Sequence, residues 1–133
     1  MKYIITLILF LSAAGSCDAA VRNWDSTDKK LYASYIILNA VDTIQTFDLI
    51  DCQNRYYLHG IPCTVHEANP LWGNPPKRGT VLSVKLASGL INTLLMDNMS
   101  TKDRRFTLKA LNGIAVVVVL NNHHKGLSWR INF

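Results

Sequence analysis

Asp42 and Lys85 are the residues most able to do chemistry, because each is an ionisable side chain set in a long apolar segment. Burying either charge alone is costly, so the two are expected to face one another. Gln45, three residues after Asp42, lies beside it on a helix and extends the polar surface. Such a seam can relay a proton or an ion, or it can hold two helices in register. One pair without a continuing chain of carboxylates makes a poor pathway, which favours the structural role.

Glu67, His66 and Asn69 form a second candidate group. Glu67 could place a carboxylate at the mouth of a pocket with His66 as its proton partner. The same residues also make a helix start, with Asn69 as cap, Pro70 at the first helical position and Glu67 near the positive helix end. His59, His66, His123 and His124 lack the spacing of a metal site, so no metal is expected. Nucleophile elbows, phosphate loops and dinucleotide-binding turns are absent from the sequence. No cofactor is expected, and nothing here argues for an enzyme.

Cys52 and Cys63 form an even pair that could close a disulfide in an oxidising compartment, stabilising the fold by about 3 kcal/mol on chain-entropy grounds. In a reducing compartment they would be free thiols. Compartment is therefore the next question, and residues 1–20 bear on it. Lys2, the uncharged run Ile4 to Ala14 and the small residues up to Ala20 have the order of a secretory signal. Cleavage near Ala19 or Ala20 is expected. Alternatively, Ala14-Gly15-Ser16-Cys17 resembles a lipid-attachment box, with Cys17 acylated.

Three helices would position these side chains. The first is expected over about 27–50, with Asn39, Asp42, Gln45 and Asp48 recurring every third residue as an inclined polar stripe. The second is expected over 79–97 and the third over 106–121. For the valine-rich run 114–120, a buried strand competes with the helix. Residues 51–78, which hold both cysteines and all four prolines, read as one long loop. The expected fold is all-α: a single helical domain, 21–133, behind a signal helix.

Only 17% of residues are charged, and the +5 net charge forms no basic stripe, which argues against nucleic acid as a partner. Each helix has about the length a bilayer crossing needs. An ionised residue at mid-depth costs about 2.5 to 3.5 kcal/mol, so spanning requires the polar groups to face inward. Inner-membrane residence is expected, with a periplasmic bundle, soluble or lipid-anchored, as the alternative. Lys and Arg fall almost evenly at the two ends of such a bundle, so they do not choose between these.

The order Asn39-x-x-Asp42-x-x-Gln45-Thr46, Glu67-Ala68-Asn69-Pro70-Leu71, Val84-Lys85-Leu86, and a valine-rich segment ending in Asn122-His123 resembles an uncharacterised family of small bacterial membrane proteins. Similar short exported proteins occur in tailed-phage genomes. The resemblance covers about residues 24–126. It implies a helical membrane fold and no activity. The chain departs from the family pattern in its export signal and its longer, cysteine-bearing first loop. The expected role is therefore a non-catalytic membrane or envelope interaction protein, with lipid and other envelope proteins as partners. The alternative is a small intramembrane enzyme or ion-conducting element using Asp42, Lys85 and Glu67.

Overall fold

The structure is a computed structural model that describes residues 21–60, 62–63 and 77–127. Among these it is all-helical: α1 spans Ser26–His59, α2 Arg78–Asp97 and α3 Thr101–His124, with no strand. The valine run lies within α3, so the strand alternative for 114–120 is overturned. A β-branched run is tolerated here because the helix is already nucleated and capped upstream. Residues 1–20, and with them the signal and Cys17, lie outside the described residues.

Two helix boundaries differ from expectation. α1 continues nine residues past Ile50, through Asp51–His59, into the segment expected to be loop. The stop comes where backbone chemistry puts it: Gly60 takes a left-handed φ of 65° and donates its N–H to the Tyr56 carbonyl at 2.9 Å, and Pro62 follows. α3 begins at Thr101, five residues before the expected start, because Ser100 accepts the Asp103 N–H at 3.2 Å and caps the charged stretch that precedes Phe106. It ends with Gly126 at φ 85°, whose N–H reaches the His123 carbonyl, while Leu127 bonds back to Asn122 and is buried.

Cross-helix pairs give the arrangement. Asp51 meets Arg78, Asp42 meets Lys85 and Tyr32 meets Thr93, so α2 runs antiparallel to α1. Asp28 meets Arg104, Leu31 meets Asn112 and Asp42 meets Asn122, so α3 runs parallel to α1 along most of its own length. α1 is thus the common partner of an up-down-up bundle. One apolar cluster, Trp24, Tyr32, Tyr35, Met96 and Leu108, fills one end, and a second, Phe47, Ile50 and Val81, fills the other.

Candidate functional site

Between the two apolar clusters lies a polar layer. Asp42 receives Lys85 Nζ from α2 on one carboxylate oxygen and the Asn122 amide from α3, at 2.9 Å, on the other. Both members of the ion pair are only slightly exposed, 17% for the Lys85 side chain and 15% for Asp42. One turn further along α1, Gln45 is wholly buried and donates to the Val119 carbonyl of α3 at 3.2 Å, while its Oε1 accepts no hydrogen bond. The pairing of Asp42 with Lys85 was legible in the sequence. The part of Asn122 was not, although it stands at the end of the valine run on a turn that faces the seam.

The threonines of this interior spend their hydroxyls on their own helices. Thr43 bonds to the Asn39 carbonyl, Thr46 to that of Asp42 and Thr93 to that of Gly89, each at 2.7 to 2.8 Å. Thr93 also meets the Tyr32 hydroxyl, and the Asn92 amide donates to Tyr35, which ties α2 to α1 toward the Trp24 end.

That end carries a second charged cluster, which the sequence reading missed. Asp28 is fully buried, bound by Arg104 Nε at 2.8 Å and by Arg105 Nε at 2.9 Å, and Arg105 also reaches Asp25. Arg104 stacks over the Trp24 ring at 4.8 Å, and Trp24 Nε1 donates to Asp97 at the end of α2. Asp25, Ser26 and Thr27 are residue types suited to a helix cap, and Asp28 follows them directly. Asp25 does cap, accepting the Asp28 N–H at 2.9 Å, but the Asp28 carboxylate turns inward. The bonded Asp28 amide, and then Arg105, hold the Asp25 carboxyl below its ordinary value of 3.8.

At the opposite end a disulfide joins Cys52 of α1 to Cys63 across a Cα separation of 5.7 Å. Nearby, Arg78 pairs with Asp51 and lies over the Phe47 ring. His66, Glu67 and Asn69 fall outside the described residues, so the structure does not bring them to the Asp42 layer or away from it. Among the described residues no three acidic, histidine or cysteine side chains are grouped as metal ligands would be.

Large aliphatic side chains also face outward on all three helices. Ile37 of α1, Ile91, Leu94 and Leu95 of α2, and Ile114, Val117 and Leu120 of α3 are half or more exposed, while Asp28, Thr43, Gln45 and Thr93 have no exposure at all. α2 is long and apolar enough to cross a membrane; α1 and α3 do not meet that composition. By length and composition α2 is compatible with membrane association, and the disulfide is compatible with an oxidising compartment. No family model, curated protein or solved structure matches this chain.

Proposed function

We propose that the chain is an integral membrane protein of the inner membrane whose three helices cross the bilayer together, and that its role is non-catalytic interaction with lipid and envelope proteins. The observation that carries this reading is the aliphatic surface left outward on all three helices, Ile37 on α1, Ile91, Leu94 and Leu95 on α2 and Ile114, Val117 and Leu120 on α3, while Thr43, Gln45 and Thr93 are turned inward. Water would penalise so much exposed aliphatic surface, whereas lipid does not. The register of the cross-helix pairs puts Ile37, Ile91 and Ile114 within about two turns of one height, so their side chains form a band. The polar composition of α1 and α3 is met by turning Asp42, Gln45 and Asn112 into the bundle, where each donates to or receives from a neighbouring helix.

The layer around Asp42 acts as glue rather than as a pathway. Both carboxylate oxygens are engaged, and the hydroxyls of Thr43 and Thr46 donate to carbonyls of their own helix rather than to the ion pair. A conducting element using Asp42, Lys85 and Glu67 is the second reading, and the unpartnered Oε1 of buried Gln45 favours it. Reconstitution into vesicles with a trapped pH dye separates the two. The interaction reading expects no proton flux above empty vesicles and loss of folded protein in Asp42→Asn. Flux that Asp42→Asn abolishes while folding persists would transfer the assignment to conduction.

A further inference from the structure

Among the described residues, the last turns of α1 lack the packing that holds the rest of it. Arg78, the first residue of α2, pairs with Asp51, so α1 runs on past the start of its antiparallel neighbour. From Asn54 to Gly60 every residue is exposed, including Tyr56, Tyr57 and Leu58, whereas Phe47, Leu49, Ile50 and Gln53 just before them are buried. The overhang is also a poor helix on its own, since Asn54, Tyr56, Tyr57 and His59 all have weak propensity. An uncovered helix end of this composition frays, because each added turn gains little without packing.

What crosses this segment is the covalent bond. Cys52 stands in α1 beside the last buried residue, and Cys63 lies three residues past the Gly60 stop, so the disulfide spans the whole overhang and returns the chain onto its base. We propose that the Cys52–Cys63 disulfide is a redox-sensitive strap that keeps the last two turns of α1 helical, with Tyr56, Tyr57 and Leu58 displayed on them. Its opening would be a thiol–disulfide exchange. A thiolate of an external dithiol attacks one sulfur, the S–S bond breaks, the mixed disulfide is resolved by the second thiol, and two cysteine thiols and one oxidised dithiol result. Release frees the chain from Asn54 onward and leaves both apolar clusters and the Asp42 layer in place, because none of them draws on the overhang. The inference does not depend on membrane crossing.

Hydrogen exchange on the full-length protein, oxidised and after dithiothreitol, tests it. The Tyr56 to Gly60 amides are expected to exchange roughly tenfold to a hundredfold faster after reduction, with Ile44 to Ile50 unchanged. In a Cys52→Ser/Cys63→Ser variant these amides should already be fast and indifferent to the reductant. Equal protection of the overhang in both redox states would overturn the proposal, as would equally fast exchange in both. Loss of protection at Ile44 to Ile50 on reduction would also refute it, because the disulfide would then support the bundle as a whole.

Discussion

The two most enclosed ion-paired carboxylates, Asp42 and Asp28, each meet two donors from other helices. Asp42 has Lys85 and Asn122, and Asp28 has Arg104 and Arg105. Removing one partner of a buried pair strands the other charge, at a cost of about 3 to 5 kcal/mol, while removing both together costs much less. Lys85→Met is therefore expected to lower stability by about 3 kcal/mol, and Asp42→Asn/Lys85→Met by clearly less, measured as denaturant unfolding in detergent. A double variant no better than the single would show that the charges are not coupled. The first pair was legible in the sequence because each residue stands alone among apolar neighbours, which leaves it one plausible kind of partner. The second was not, because Asp28 sits among capping residues and Arg104 and Arg105 within a charged stretch, where solvent exposure explains them equally well.

The helices themselves were legible from their apolar length, but their ends were not, because ends are set by caps that periodicity does not register. Ser100 with Asp103 and Gly60 with Pro62 are local signals of the kind that would have moved both boundaries to where they fall. Gly126 makes the closing turn of α3 at φ 85° with nothing within 4 Å of where a Cβ would sit, so Gly126→Ala meets only backbone strain. A loss of about 1 kcal/mol is expected in thermal or denaturant unfolding, and no loss would mean the turn relaxes to another conformation. At the start of α1, the lowered Asp25 carboxyl sets a pH dependence. Its cap contributes fully above the ordinary carboxyl value of 3.8 and is lost as pH falls through the lower folded value. Exchange at the Asp28 amide should thus quicken on acidification below that value, beyond the intrinsic rate. Asp25→Asn, which caps without titrating, should remove this response.

At the scale of the molecule, the account rests on a polar layer between two apolar clusters and on the aliphatic surface left outward on all three helices. The sequence carried the all-helical fold and the polar seam, since both follow from patterning within single segments. Which face of each helix turns outward depends on all three packing together, and only α2 announces itself by composition alone. If lipid covers the exterior, the bundle needs no further partner to be stable in a bilayer but cannot leave it for water without exposing Ile91, Leu94, Val117 and Leu120. Fractionation with an alkaline carbonate wash tests this directly: the account predicts that the protein stays in the membrane pellet and is extracted only by detergent, whereas release into the soluble fraction by carbonate alone would contradict it.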